Sequence, residues 1–283
     1  MVWKITYKFL LICIFVALVS CKDENEEEPY SNLEIVLDNA QASLYFHTIF
    51  REAENAWAFV ADKNYEPFEP EHFGPLGANF YKTISCSTVG NIITATIVYQ
   101  TWITNSLNLG GTIKVEFDRL SFRSSTKTAM VSLTQFSIEG QNVTGGMVLT
   151  YIAGSDNDRY EMRLIQNPTI QERGAHNMPV LISISQGSGN YERIKGGRSF
   201  SQFEDEWKYW GAISGRLRDN PNMTFTNTVV ETVANEDAAV YYDMNCGTAT
   251  RGKASIIISG RDDIDFEYRC NQIHFNTETH NIR

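Results

Sequence analysis

Positive charge is scarce in this chain of 283 residues. Its 24 lysines and arginines face 34 aspartates and glutamates, for a formal net charge of −10. An acidic surface repels phosphate backbones, which sets nucleic acid aside as a partner. Histidine is rarer still. His47, His72, His176, His274 and His280 are scattered, with no i, i+4 pair and no His-Glu-x-x-His, so a zinc hydrolase has no scaffold here. The five cysteines include no Cys-x-x-Cys, and no Gly-x-Ser-x-Gly marks a hydrolase elbow. No pair of carboxylates stands out for glycoside hydrolysis. The sequence therefore points to no metal, no cofactor and no convergent catalytic set. The apolar run Phe9 to Val19 is shorter than the about 20 residues that a membrane-spanning helix needs.

That run has another meaning. Lys4 and Lys8 precede it, and the small residue Ser20 follows, just before Cys21. Basic start, apolar middle and small-residue cut site are the parts of an export signal over residues 1–20. The segment Leu18-Val19-Ser20-Cys21 resembles the lipobox of bacterial lipoproteins. The resemblance implies cleavage before Cys21 and acylation of that cysteine, an anchor stronger than a single acyl chain gives. The signal carries two lysines and no acids, so its loss takes the net charge to −12. Lys22-Asp23-Glu24-Asn25-Glu26-Glu27-Glu28 comes next, with nothing to bury, and Pro29 closes it. Residues 21–32 thus read as a lipidated cysteine on an acidic, disordered tether. Lys22, Asp23 and Glu24 directly after the cysteine look like a surface-export tether of outer-membrane lipoproteins.

Residues 33–283 read as a single, mainly β domain. From Leu33 to about Asp62 apolar residues recur at three- and four-residue steps, which predicts one helix with one apolar stripe. Ser31 or Asn32 can cap it, and Glu34 suits its first turn. Residues 63–80, with Pro67, Pro70 and Pro75, predict a loop. Beyond them the period becomes two, as in Ile93-Ala95-Ile97-Tyr99, Ile113-Val115-Phe117, Met147-Leu149-Tyr151 and Ile264-Phe266-Tyr268. Glycine-bearing turns separate these runs, predicting antiparallel hairpins with one wet face. The segment 166–206, with Gly187, Gly189, Gly196 and Gly197, reads as a long loop or join. The expected fold is α+β and mainly antiparallel: a curved sheet or half-barrel with the N-terminal helix packed on it.

The order of parts is familiar: lipobox, acidic tether, one helix, then strands of the kind Phe136-x-Ile138-x-Gly140-x-x-Val143-x-Gly145. It resembles lipobox-containing surface lipoproteins of the Bacteroidota. The resemblance implies a lipid-anchored outer-membrane protein facing outward, and it brings no catalytic residues.

Two further features bear on chemistry. Once Cys21 is acylated, Cys86, Cys246 and Cys270 remain for an oxidising compartment. Cys246 and Cys270 lie on either side of a strand-like segment and are expected to pair, leaving Cys86 as a small buried hydrophobe. The stretch Phe203-Glu204-Asp205-Glu206-Trp207-Lys208-Tyr209-Trp210-Gly211 interleaves rings and carboxylates, as sugar-binding faces do. Trp207, Tyr209 and Trp210 are the candidate ligand-binding residues, with Trp102 a possible addition. Strand alternation puts Trp207 and Tyr209 on one face and Trp210 on the other. Asp156-Asn157-Asp158 begins like a calcium loop, but Arg159 and Tyr160 stand where the next acid and glycine belong. The expected role is non-catalytic binding of glycan or of a neighbouring outer-membrane protein. The alternative is a carrier holding an apolar ligand between sheet and helix.

Overall fold

The computed structural model describes residues 31–74, 81–104, 107–120, 126–152, 157–171, 180–196, 205–218, 220–233, 236–243, 246 and 249–282. Cys21 and the residues around it lie outside these. Among the described residues one α-helix, α1 (Asn32–Asp62), comes first. Ser31 caps it: its Oγ accepts from the Glu34 backbone N–H, and the Glu34 carboxylate accepts from the Ser31 N–H at 2.9 Å. This reciprocal box fixes where the helix starts.

Strands make up most of the remainder. They are β1 (Phe68–Phe73), β2 (Tyr81–Val89), β3 (Ile92–Thr104), β4 (Leu107–Asp118), β5 (Thr126–Ile138), β6 (Gln141–Val143), β7 (Gly146–Ile152), β8 (Arg159–Ile165) and β9 (Thr169–Gln171). Then follow β10 (Val180–Lys195), β11 (Glu206–Leu217), β12 (Thr224–Val229), β13 (Thr232–Val233), β14 (Glu236–Asp237), β15 (Val240–Asp243), β16 (Ala249–Ile258), β17 (Ile264–Arg269), β18 (Gln272–Phe275) and β19 (Glu278–Asn281). All but β13 and β14 join one antiparallel sheet. Its path runs from β1 through β2, β3, β4, β5, β7, β8, β10 and β11. There β12 and β15 both pair with β11 and pass the sheet on to β16, β17, β18 and β19. The expected α+β fold, a curved antiparallel sheet with one N-terminal helix, is the observed one.

The helix is not merely laid on the sheet. Every residue from Ala42 to Ala58 is buried, whatever its polarity. A helix buried on all sides must be enclosed by its neighbours. Its partners come from both ends of the strand path and from the middle. Trp57 meets Phe117 of β4 edge to face, with ring centroids 5.1 Å apart. Phe50 stacks on Tyr191 of β10 at 3.8 Å, and His47 stacks on Tyr242 of β15 at 3.8 Å. The sheet therefore curls round α1. A single apolar stripe, as the periodicity suggests, understates this burial.

Each of the two expected loops contains strand. Pro70 sits in β1, which among the described residues pairs with β2 at the sheet's edge, and the ladder slips between Phe68 and Glu71. An edge with a bulge tolerates a residue that has no N–H. Gly187 and Gly189 sit inside the long strand β10. A Cβ on Gly187 would come 2.6 Å from Leu164 Cδ1, and one on Gly189 would come 2.5 Å from the Tyr209 ring. Larger side chains from neighbouring strands fill the space the glycines leave, so these glycines mark close packing and not a turn. Cys246 and Cys270 form a disulfide with Cα atoms 5.2 Å apart, and Cys86 is free and buried.

Candidate functional site

Strand β11 carries the candidate rings, and alternation divides them. Trp207 and Tyr209 point inward and are 1% and 5% exposed. Trp207 meets Phe50 of the helix edge to face at 5.0 Å, and Tyr209 lies 4.9 Å from the Tyr191 ring. Both belong to the core. Trp210 points outward, half-buried, into an open trough of about 890 Å³ on the outer face of β5, β7, β8, β10, β11 and β12. Trp102, on β3, does not line this trough; Lys82 Nζ stands 5.3 Å from its ring.

Two cations bracket the Trp210 ring. The Arg159 guanidinium lies 5.1 Å from its centroid and donates to Asn190 Oδ1 at 3.2 Å. Lys208 Nζ lies 5.6 Å from it and pairs with Glu231 at 3.4 Å and Asp237 at 3.6 Å. Contacts of this kind fix the orientation of a ring that would otherwise turn in solvent. Gly189 and Gly211, direct partners in the ladder, form part of the trough floor. A Cβ on Gly211 would stand 2.4 Å from Gly189 Cα, so the two backbones approach as only glycines allow.

A second constellation lies inside, around the helix, and sequence periodicity gives no hint of it. Glu52 accepts from Lys82 Nζ at 3.1 Å and from the Tyr99 hydroxyl at 2.8 Å. Burial pushes its carboxyl up, but Lys82, Arg51 and the Tyr99 hydrogen bond outweigh burial and hold it below the usual range. Glu54 accepts from Arg193 Nη2 at 2.7 Å and from the Tyr160 hydroxyl at 3.2 Å. Arg193 also donates to Asp205 at 2.7 Å and pairs with Asp158 at 3.4 Å. Here three carboxylates share one guanidinium. Burial, with mutual repulsion among the acids, raises both Glu54 and Asp205 despite Arg193. His47 is held well below its ordinary value by burial and then by Arg51.

Glu52, Glu54 and Asp205 are paired with cations and buried under the sheet, where they hold the helix in place, and Asp158 is half-buried. The signal in the sequence is the run Arg51-Glu52-x-Glu54-Asn55 in the middle of an apolar helix, four polar residues that no single stripe explains. Asp158, from the calcium-like turn, faces Arg193, and Asn157 donates to Glu192 at 2.8 Å. Among the described residues no three His, Cys, Asp or Glu side chains converge to hold a metal ion. His176, Phe203 and Glu204 lie outside the described residues, as do Lys22, Asp23 and Glu24. Among the described residues no helix is long and apolar enough to cross a membrane.

No protein-family model matches the chain, and no curated protein and no solved structure does either.

Proposed function

We propose that the chain is a lipid-anchored outer-membrane protein whose outer sheet face is a non-catalytic binding module for glycan. One observation carries the binding reading. Of three rings on one strand, two are spent on the core, while Trp210 is turned outward and oriented by cations at a trough of mixed polar and apolar lining. An aromatic ring beside hydroxyl, amide and carboxylate side chains is the chemistry that holds sugar: C–H faces stack and hydroxyls find partners. The anchor reading rests on Cys21 and its flanking sequence, with Lys22, Asp23 and Glu24 as the export tether.

The packing favours this over a carrier of apolar ligand. Ile93, Ile97, Phe117, Phe136 and Leu149 are at most 1% exposed, and the helix fills the concave face with rings and ion pairs. Three experiments test the proposal. Cys21→Ser is expected to release the protein from membranes, and replacing Lys22, Asp23 and Glu24 by alanine to hide it from protease on intact cells. A glycan array probed with the wild-type chain is expected to give binding; an empty array rejects the glycan reading and leaves a neighbouring membrane protein as the partner.

A further inference from the structure

The residues lining the trough are not scattered. Thr128 of β5 is the direct ladder partner of Thr150 of β7, and Thr150 is that of Glu161 of β8. Glu161 in turn opposes Asn190 of β10, and Asn190 opposes Trp210 of β11. All five are half-buried or exposed, and all five line the trough. Directly opposed residues in neighbouring strands share a face with their Cβ atoms adjacent. These five therefore form one file perpendicular to the strands, with a donor or acceptor side chain at each of four successive strands and a ring at the fifth. At about 4.8 Å per strand the file is about 19 Å long.

Resting on the glycan reading, we propose that this file is the binding track for a linear, uncharged oligosaccharide that lies across the strands, one end stacked on Trp210 and the other reaching Thr128. A file that crosses the strands in one line suits an unbranched chain. Polar groups recurring at each strand suit a ligand whose hydroxyls recur along its length. The charge pattern selects against a polyanion: Glu161 stands in mid-file, and Glu231 lines the same trough. The cations beside Trp210 are already engaged, Arg159 with Asn190 and Lys208 with Glu231 and Asp237. Arg163, on the neighbouring file opposite Ser188, offsets Glu161, so the trough offers no net positive charge to draw an acidic sugar.

The test is calorimetric titration of the full chain in detergent. The probes are β-1,4-linked gluco-, xylo- and manno-oligosaccharides and α-1,4-linked gluco-oligosaccharides of two to six units, with oligogalacturonides of the same lengths as the anionic comparison. For at least one neutral series, Kd is expected to fall at least tenfold between two and four units and then to level off. Thr150→Val and Glu161→Gln are expected to weaken the four-unit ligand at least fivefold and to change the two-unit ligand less than twofold, with unaltered melting curves. Binding that ignores length, favours the galacturonides, or responds to Trp210→Ala but to neither file variant overturns the track and leaves the glycan reading standing. No binding in any series overturns both.

Discussion

Glu52 and Glu54 stand on opposite sides of one helix, and each is met by a cation from a different region of the sheet: Lys82 of β2 at 3.1 Å and Arg193 of β10 at 2.7 Å. Two residues along a helix are turned by about 200°, so the two pairs clamp α1 from opposite directions. A rotation of the helix that improved one pair would break the other. The pairs thus fix the rotation and depth of a helix that a wholly apolar lining would hold less selectively.

From this follows an asymmetry in mutational cost. Lys82→Met alone is expected to cost about 3–5 kcal/mol, because Glu52 is left charged and buried. Adding Glu52→Leu is expected to recover part of the loss, since the unpaired charge is gone while the Tyr99 hydroxyl loses its acceptor. Urea unfolding of the single and double variants checks it. A double variant as unstable as the single one would assign the cost to packing instead.

Two buried titratable groups are predicted to make opposing, separately removable contributions to the pH dependence of stability. His47 is held below its ordinary 6.5, so the unfolded chain binds the extra proton and stability falls as pH drops below 6.5. Glu54 is raised above its ordinary 4.5, so the folded chain holds the extra proton and stability falls as pH rises from 4.5 towards its folded value. Melting temperatures across pH 4 to 8 are expected to show His47→Phe removing the loss below pH 6.5 and Glu54→Gln removing the loss that sets in above pH 4.5. If neither variant changes the profile, the groups do not titrate as their surroundings dictate.

The disulfide between Cys246 and Cys270 closes a separation of 24 residues around β16 and β17. In the chain-entropy account, a loop of this size contributes about 3 kcal/mol. Replacing both cysteines by serine is expected to lower the melting temperature, and peptide mapping of the unreduced protein to recover the linked pair with Cys86 free. A link through Cys86 contradicts the structure.

Much of this fold is legible in residue order, and the misses share a cause. Period-two runs such as Ile93-Ala95-Ile97-Tyr99 mark strands because one face packs and one is wet, and Ser31 with Glu34 marks the helix start by local chemistry alone. Arg51, Glu52, Glu54 and Asn55 mislead because polar helix positions normally face solvent. Only the curl of the whole sheet, a property of distant strands, buries them. Gly187 and Gly189 look like loop residues for the same reason: Leu164 and Tyr209, which fill their space, are remote in sequence. Alternation does separate Trp210 from Trp207 and Tyr209, but it cannot tell which face is inside. The file from Thr128 to Trp210 needs strand register, which no local pattern carries.

The central claim is the division of labour on β11, and paired variants measure it most directly. Trp210→Ala and Trp207→Ala are each titrated with the neutral four-unit oligosaccharides and melted. The account predicts that Trp210→Ala loses about 1–3 kcal/mol of binding, the scale of a lost stacking ring, with its melting curve little changed. Trp207→Ala is predicted to lose about 3–5 kcal/mol of stability, as a large core ring does when truncated. Full binding by Trp210→Ala, or a loss of stability there as large as at Trp207, would contradict it.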